Sequence, residues 1–378
     1  MTVALNGVTG RMGYRQHLVR SLLAIRDQGG VPLPDGTCIY PEPILVGRTE
    51  SKLAEIAQRH GISRWSTSLD EVLSDPRVDV YFDTQVTSAR EASLARAIAA
   101  DKHVYTEKPV AGSLDGALRL AGAAREAGIT HGVVQDKLFL PGMIKLRRLI
   151  TSGFFGRVLA VRLEFGYWVF EGDLTPAQRP SWNYRAADGG GIVLDMFPHW
   201  QYLLEDLFGP VDAVYARAAT HLPERWDETG TRYDATADDA AYAVLEFGSG
   251  VIASVNSSWA VRVNRRELVQ LQVDGTHGSA VAGLRHCAIQ HRMSTPLPVW
   301  NPDLPDPIDY QATWTDVPEN QVFDNGFKAQ WELFLAAAAQ REQFRWDLAE
   351  GARGVQLAEL ALQSSAQGRR LTVPRLAI

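Results

Sequence analysis

The chain lacks several features that mark specialised classes of protein. Its 378 residues include only two cysteines, Cys38 and Cys287, which lie far apart in segments without a common pattern. A disulfide framework is therefore not indicated, and so few cysteines in a chain of this length are typical of a reducing compartment. The sequence also contains no internal repeat and no long low-complexity tract.

Membrane and secretion signals are missing as well. No uninterrupted apolar run approaches the roughly 20 residues that a membrane-spanning helix needs. The amino terminus has no cationic stretch followed by an apolar segment and a small-residue cleavage site. The sequence therefore predicts a cytoplasmic protein without a membrane partner.

Positive charge is not in excess. Lys and Arg number 38 against 44 Asp and Glu, which gives a formal net charge of -6. This balance argues against nucleic acid as a partner. Hydrophobic residues make up 46% of the chain and charged residues 22%, as in ordinary globular proteins. Because 378 residues exceed one ordinary core, we expect two domains.

A glycine-rich turn at the start of the chain indicates a nucleotide site. Thr2–Asn6 has the pattern of a short buried strand, and residues 11–27 have that of an amphipathic helix. Backbone amides in such a turn can approach a pyrophosphate at the helix amino terminus. The spacing is GxxGxxG and not the commoner GxGxxG, and glycines also serve ordinary tight turns. The place of this turn between strand and helix favours a nucleotide site formed by Gly7, Thr9, Gly10, Arg11, Met12 and Gly13.

The end of the second strand bears on the choice of cofactor. This strand is expected at residues 43–46, after a Gly- and Pro-rich stretch at 29–43 that we interpret as a hairpin or loop insertion. Many NAD-binding folds have an acidic residue at this strand end, which bonds the ribose 2′-hydroxyl. Here Gly47 stands in its place, followed by cationic and hydroxyl groups that suit a 2′-phosphate. The alternative is an ordinary solvated helix start. We favour NADP over NAD, with contacts from Arg48, Thr49 and Lys52.

Strand and helix patterns then alternate through the first third of the chain. Strands are expected at 78–82, His103–Thr106 and 130–134, and helices at 51–60, 68–73, 89–100 and 113–127. This order predicts a parallel sheet with helices on both faces. We expect a doubly wound α/β domain over residues 1–135.

The segment Glu107-Lys108-Pro109 follows the strand His103–Thr106. A lysine at the carboxyl end of a parallel strand points into the crevice where doubly wound sheets bind ligands. Pro109 disfavours helical geometry at Lys108, so the amine stands on extended backbone. Such an amine suits proton transfer or a hydrogen bond to a substrate hydroxyl. The alternative for this segment is a salt-bridged surface turn.

A second pair of polar residues follows the glycines at 189–191. Asp195 and His199 are four residues apart, which places them one turn apart on one face of a helix. A carboxylate beside an imidazole can orient it and stabilise its charged form. Three alternatives stay open: Asp195 pairs with an arginine, His199 is a core histidine, or both bind a metal. Because no third ligand stands at a suitable spacing, we predict no metal.

The glycine turn, the Glu-Lys-Pro segment and the Asp-x-x-x-His pair together resemble the Gfo/Idh/MocA family, named after glucose–fructose oxidoreductase, inositol dehydrogenase and rhizopine catabolism. The resemblance spans the whole chain. It implies an amino-terminal Rossmann domain and catalysis by Lys108, Asp195 and His199.

Further contacts are carried over from this resemblance. The family usually has a Thr-Pro turn at the nicotinamide pocket, and Thr84-Gln85 takes its place here, which could loosen the turn. Lys137 stands where the family often has arginine or tyrosine. Aromatic rings stack on sugars and arginine bonds vicinal hydroxyls, although Trp182 could equally be core. The implied cofactor contacts are Thr84, Glu107 and Lys108, and the implied substrate contacts are Lys108, Lys137, Trp182, Tyr184, Arg185, Asp195 and His199.

The second domain, residues 136–378, has a different periodicity. Val158–Phe165 alternates between polar and apolar residues, which is typical of an antiparallel sheet with one covered face. We expect an α+β domain with a large, mostly antiparallel open sheet, whose carboxyl-terminal helices, at 325–339 and 348–365, pack back on it. The free face would be an oligomer interface, and the resemblance implies a homodimer or homotetramer. Further strands are expected at Ala240–Phe247, 251–258, 267–274 and 279–282.

The resemblance implies an NAD(P)-dependent oxidoreductase that acts on a secondary alcohol or ketone of a sugar, cyclitol or related polyol. Hydride would pass between the carbinol carbon and the nicotinamide. His199 would move the hydroxyl proton, Lys108 would polarise the oxygen and Asp195 would fix the imidazole, although the first two roles could be exchanged. Three rivals stay open: a redox-neutral epimerase or glycosidase of the same family, a dihydrodipicolinate-reductase-like enzyme, and a nicotinamide sensor.

Overall fold

The structure is a computed structural model that describes residues 1–168, 172–176, 179–298, 301–305 and 307–376. The described residues form two large sheets, one of six and one of nine strands, and helices pack on both. A doubly wound α/β domain and an α+β domain with a large open sheet are both present. The predicted fold class is therefore confirmed.

The first part of the chain builds a parallel sheet. The strands in this part of the chain are β1 (Thr2–Asn6), β2 (Val31–Pro32), β3 (Cys38–Ile39), β4 (Glu42–Val46), β5 (Trp65–Ser66), β6 (Val80–Asp83), β7 (His103–Thr106) and β8 (His131–Val133), of which β2 and β3 form a separate hairpin. The sheet has the order β5-β4-β1-β6-β7-β8, and all neighbours are parallel. The order reverses between β1 and β6. Ligands of such sheets bind outside the carboxyl ends of the strands at this point.

Helices cover both faces of the parallel sheet. They are α1 (Met12–Leu23, with wide π-type turns, continued by the α-helical Ala24–Asp27), α2 (Glu50–His60), α3 (Leu69–Ser74), α4 (Thr87–Ala99) and α5 (Leu114–Glu126). On one face Leu18 and Leu22 of α1 pack with Leu5, and on the other Leu94 of α4 packs with Val104. Strands buried on both faces have apolar centres, as Val3, Ala4 and Leu5 of β1 show.

Short elements are where sequence and structure differ most in this half. β7 has the predicted bounds, and β2 and β3 form a hairpin in the stretch where an insertion is expected. β5 is not predicted, because two residues, of which Trp65 is exposed, are too few to form a pattern.

The second sheet is mixed and mostly antiparallel. It contains nine strands, and only one pair of neighbours, in the middle of the sheet, is parallel. Two further strands form a separate antiparallel hairpin within residues 224–234. The strands of this half are β9 (Val158–Phe165), β10 (Val211–Ala219), β11 (Glu224–Trp226), β12 (Arg232–Asp234), β13 (Ala240–Phe247), β14 (Ile252–Ser258), β15 (Val269–Gly275), β16 (Gly278–Ala282), β17 (Cys287–His291), β18 (Thr315–Asp316) and β19 (Leu371–Thr372). The sheet runs β18-β17-β16-β15-β9-β14-β13-β10-β19, and β11 and β12 form the hairpin.

One face of this sheet is covered and the other is open. The covering helices are α6 (Pro141–Thr151), α7 (Ile192–Phe208) and one near the carboxyl end, Leu348–Gln367. α7 is buried on most sides, which explains its largely apolar sequence. The open face exposes Tyr215, Tyr242, Val244 and Ile252.

The two carboxyl-terminal helices, α8 (Gly326–Gln340) and α9 (Leu348–Gln367), lie in different places. α9 packs against α5, α7 and β10. The sequence predicts that α8 also packs on the second sheet, but Trp331, Phe334 and Leu335 of α8 belong to the core of the parallel sheet. The division of the chain at residues 135 and 136 stays a prediction. Within the described ranges, no helix has both the length and the apolar character needed to cross a membrane.

Candidate active site

The glycine turn between β1 and α1 packs against the end of β6. Gly7 has a φ of +88°, and a Cβ there would lie 2.9 Å from the carbonyl oxygen of Thr84. A Cβ on Gly13 would lie 2.7 Å from the carbonyl oxygen of Gly7. Both positions therefore need glycine. Residues 9–11 are exposed before α1 begins at Met12, so the turn offers an open backbone cradle that fits a dinucleotide pyrophosphate.

The strand end predicted to choose the cofactor lies beside this turn. A Cβ on Gly47 would lie 3.7 Å from Cγ2 of Thr9. Arg48, Thr49 and Lys52 follow and are exposed. Thr49 occupies the N-cap of α2, but its side chain makes no capping hydrogen bond. Capping therefore does not explain this threonine, and the two cations stand at the cofactor side of the sheet.

Glu107 lies beneath the end of β7 and is buried. Its Oε1 is 2.9 Å from Nε2 of His17, and its Oε2 accepts a hydrogen bond from the Lys108 backbone amide. Because the indole N–H of Trp331 donates to Nδ1 of His17, Nε2 carries the imidazole proton and donates to Glu107. Burial tends to raise the pKa of Glu107, but His17, Lys108 and Arg90 outweigh it and lower the pKa. The ionised Glu107 thus holds the backbone of Lys108, and its predicted contact with the cofactor stays a prediction.

Lys108 and Asp195 meet between the two halves of the molecule. Nζ of Lys108 is 2.7 Å from Oδ1 and 2.8 Å from the carbonyl oxygen of Asp195. Arg179 lies 2.7 Å from Oδ2 of the same carboxylate. Burial tends to raise the pKa of Asp195, but Arg179 and Lys108 outweigh it and hold the pKa below its ordinary value. Asp195 is therefore an anion shared by two cations.

His199 has partners other than those predicted. Its Nε2 is 3.3 Å from Nζ of Lys137, and its Nδ1 is 2.8 Å from the hydroxyl of Tyr202. The prediction that Asp195 fixes the imidazole is wrong, because Lys108 and Arg179 hold that carboxylate instead. Burial and the nearby cations, Lys137 first, place the pKa of His199 well below its ordinary value. The imidazole is therefore neutral.

A buried network braces the turn at Thr84-Gln85. The backbone amide of Gln85 donates to Oδ1 of Asp83 at 3.0 Å, and the side chain of Gln85 accepts from Ser93. Arg90 donates to Asp83, to the carbonyl oxygen of Gln85 and to that of Pro109. Proline has no amide hydrogen and could not make the first of these bonds. Gln85 therefore tightens this turn, contrary to the expectation that it loosens it.

The three residues before the glycine run differ in exposure. Tyr184 is fully buried, with the guanidinium of Arg225 3.8 Å from its ring centroid and Trp259 at its edge. The prediction that Tyr184 contacts substrate is therefore corrected, because its ring is part of the core. Trp182 and Arg185 are half-buried, and Arg185 lies over the ring of Tyr233. Their substrate contacts stay predictions.

Two residues of the candidate site, Arg179 and Tyr202, were not predicted from the sequence. Arg179 is three residues before Trp182 but belongs to no motif, and only the possibility of an arginine paired with Asp195 pointed to it. Tyr202 stands three residues after His199 on α7. This spacing places both on one helix face, and it was a usable signal.

Comparison with known proteins gives the family. Residues 3–134 match the family described as oxidoreductases with an NAD-binding Rossmann fold, and residues 143–281 match the GFO/IDH/MocA C-terminal domain. The chain belongs to the GFO/IDH/MocA family. The predicted resemblance is confirmed, and so is the enzyme class, an oxidoreductase with an NAD-binding domain.

Similar proteins in this family include several enzymes of sugar chemistry. The chain is 57% identical over 380 residues to a D-xylose dehydrogenase of Paenarthrobacter nicotinovorans, covering 100% of this chain and 98% of the relative. It is 32% identical over 234 residues to a 1,5-anhydro-D-fructose reductase of Ensifer adhaerens, covering 60% of this chain and 64% of the relative. A levoglucosan dehydrogenase in complex with NADH and L-sorbose has the same fold, with a TM-score of 0.81, 20% identity and coverage of 100% and 99%.

Proposed function

We propose that this protein is a sugar dehydrogenase whose substrate is D-xylose or a closely similar aldose. The reaction class rests on one observation: the ammonium of Lys108, paired with the carboxylate of Asp195, lies near enough to His199 to help lower the pKa of this neutral imidazole. The choice of sugar rests on the 57% identity to a D-xylose dehydrogenase over the whole chain. A cytoplasmic location is part of the proposal, in keeping with two free cysteines.

The side chains of the site divide the chemistry between them. The Lys108 ammonium, held on Asp195, can hydrogen-bond the substrate oxygen and stabilise negative charge as it develops there. The neutral imidazole of His199 can take the hydroxyl proton. When bound, the oxidised nicotinamide cofactor would serve as the hydride acceptor for the carbinol carbon. Lys137, Trp182 and Arg185 are proposed to contact the remaining hydroxyl groups, by hydrogen bonds and by stacking.

The proposal is tested with a panel of aldoses, inositols and their keto forms, each assayed with NAD and NADP. We expect D-xylose to give the highest kcat/KM, with one reduced cofactor formed for each sugar oxidised. Conversion of a sugar without net change in cofactor absorbance would show the redox-neutral rival to be right. Cofactor binding without turnover of any sugar would favour the nicotinamide sensor.

NADP is the proposed cofactor, because Gly47 replaces the usual acid and the cations Arg48 and Lys52 are exposed beside it. The double variant Arg48→Ala/Lys52→Ala is expected to lower the preference for NADP over NAD about tenfold or more, since a hydrogen bond to a charged group contributes about 1.5–3 kcal/mol. The measurement is kcat/KM for each cofactor. Arg285→Ala removes an equally exposed arginine from the second domain and should change nothing. A preference for NAD in the natural sequence would contradict the proposal.

The open face of the second sheet is the proposed interface of a homodimer or homotetramer. Tyr215, Tyr242, Val244 and Ile252 are 40%, 42%, 39% and 53% exposed and form an apolar stripe across adjacent strands. Such patches commonly mark association surfaces. We expect sedimentation equilibrium to give a multiple of the monomer mass for the natural sequence and the monomer mass for Val244→Glu/Ile252→Glu. The matched change Leu333→Glu, on α8, should leave the mass of the assembly unaltered.

A further inference from the structure

The imidazole of His199 is held from behind by two buried side chains. Its Nδ1 is 2.8 Å from the Tyr202 hydroxyl, which is in turn 3.4 Å from Oδ1 of Asp136. Tyr202 and Asp136 are only 4% and 7% exposed. We propose that Tyr202 and Asp136 are positioning residues that fix the tautomer of His199 and set its strength as a base. The proposal rests on the function proposed above, in which His199 takes the hydroxyl proton.

The direction of each hydrogen bond follows from the donors present. The Lys137 ammonium can only donate, so Nε2 of His199, 3.3 Å from it, accepts. A neutral imidazole with an accepting Nε2 carries its proton on Nδ1, which therefore donates to the Tyr202 oxygen. The Lys137 backbone amide, 3.3 Å away, donates to the same oxygen. The hydroxyl proton of Tyr202 then goes to the carboxylate of Asp136.

This arrangement uses the full hydrogen-bonding capacity of the Tyr202 hydroxyl. Tyr202 accepts two hydrogen bonds and donates one, which is the full capacity of a hydroxyl. Burial and the nearby Asp136 raise the pKa of Tyr202 well above its ordinary value, so the hydroxyl keeps its proton. The Nε2 lone pair of His199 therefore faces Lys137, on the side opposite Tyr202. A substrate hydroxyl that replaces the Lys137 ammonium at Nε2 meets a base with the correct tautomer already set.

The same two residues support the charged form of the imidazole. When Nε2 takes a proton, the ring becomes positive, and its Nδ1–H binds an oxygen that is polarised by the Asp136 carboxylate. The nearby cations Lys137, Lys108 and Arg179 oppose protonation, and the Asp195 carboxylate is paired with the last two of them. Tyr202 and Asp136 favour protonation of the ring from its Nδ1 side.

Tyr202→Phe tests this role by removing one oxygen. We expect kcat for the sugar to fall about tenfold, the cost of a hydrogen bond to a charged group, with KM little changed. The acid limb of the kcat/KM profile should move to lower pH. The sign follows because a base works only when unprotonated, and a ring that loses support for its proton must be brought to lower pH before it is protonated. Asp136→Asn should shift the limb in the same direction.

Two further variants make the result decisive. Tyr105→Phe removes another buried hydroxyl, one that has no hydrogen-bond partner among the described residues, and should leave the profile unaltered. His199→Asn should lose most turnover. If Tyr202→Phe and Asp136→Asn keep the natural kcat and acid limb while His199→Asn is inactive, the inference is overturned and the proposed function stands. If His199→Asn keeps the natural turnover, the proposed base is wrong and the inference falls with it. Thermal unfolding identifies a variant that fails to fold. If either Tyr202→Phe or Asp136→Asn fails to fold, the pH profile of the other variant decides whether the inference holds.

Discussion

Lys108→Met is expected to lower kcat for sugar oxidation by about a thousandfold, while the dissociation constant of the cofactor stays nearly the same. In the proposed mechanism the ammonium of Lys108 is the donor aimed at the position where negative charge develops, and loss of one such donor costs about a hundredfold to a thousandfold. Methionine keeps much of the length and volume of the lysine side chain. Arg179 still pairs with Asp195 in the variant, so the carboxylate is not left as an unpaired buried charge. Steady-state kinetics and a cofactor titration measure the two quantities.

The matched control is Lys145→Met, which removes another buried lysine, on α6 and near Glu319. It should leave kcat unchanged and can only affect stability. Natural turnover in the Lys108→Met variant would refute the assignment of the lysine. A loss confined to cofactor affinity would instead make Lys108 a binding residue.

Arg225→Met is expected to destabilise the fold by about 3–5 kcal/mol, because it leaves one member of a buried ion pair without the other. Arg225 and Asp239 are both fully buried, and their N–O distance is 2.8 Å. The carboxylate also accepts the backbone amides of His221 and Leu222. Urea unfolding, followed by circular dichroism, measures the loss as a lower midpoint.

The effect of Arg225→Met should extend to activity, because the neighbouring Asp238 holds the start of α7. Its carbonyl oxygen accepts the amide of Ile192, and its carboxylate accepts that of Val193 at 2.8 Å. α7 carries both Asp195 and His199. A shift of Asp239 after the loss of Arg225 would also move Asp238 and would therefore disturb the start of α7.

Two comparisons separate burial of the pair from its charge. Arg370→Met breaks a surface pair with Glu246 and should cost far less. The double variant Arg225→Met/Asp239→Leu removes both charges and should regain much of the lost stability. Equal unfolding midpoints for Arg225→Met and Arg370→Met would contradict this account of the buried pair.

The sequence predicts long, strongly alternating elements well and short or weakly contrasted ones poorly. The strands Val158–Phe165 and Ala240–Phe247 have the predicted bounds, because eight residues are enough to define one buried face. β10 is missed although it has nine residues, since its alanines give little contrast between polar and apolar positions. The two-residue strands β18 and β19 have no pattern to detect.

The site shows the same limit. Local motifs predict Lys108, Asp195 and His199, and the structure brings them together. Except for Tyr202 beside His199, partners at the site come from other parts of the chain, such as Arg179 for Asp195 and His17 for the neighbouring Glu107. Pairing across such distances is decided by tertiary packing, so the orienting role predicted for Asp195 was wrong.

The position of α8 has a consequence for how the protein is made. Trp331, Phe334 and Leu335 complete the core of the parallel sheet, and Trp331 also donates to His17 above Glu107. Since the ribosome delivers the amino terminus first, the nucleotide-binding half waits for a helix that is synthesised after the strands β9 to β18 of the second sheet. Until that helix emerges, the nascent domain carries an uncovered apolar face, and the backbone of Lys108 lacks its final support.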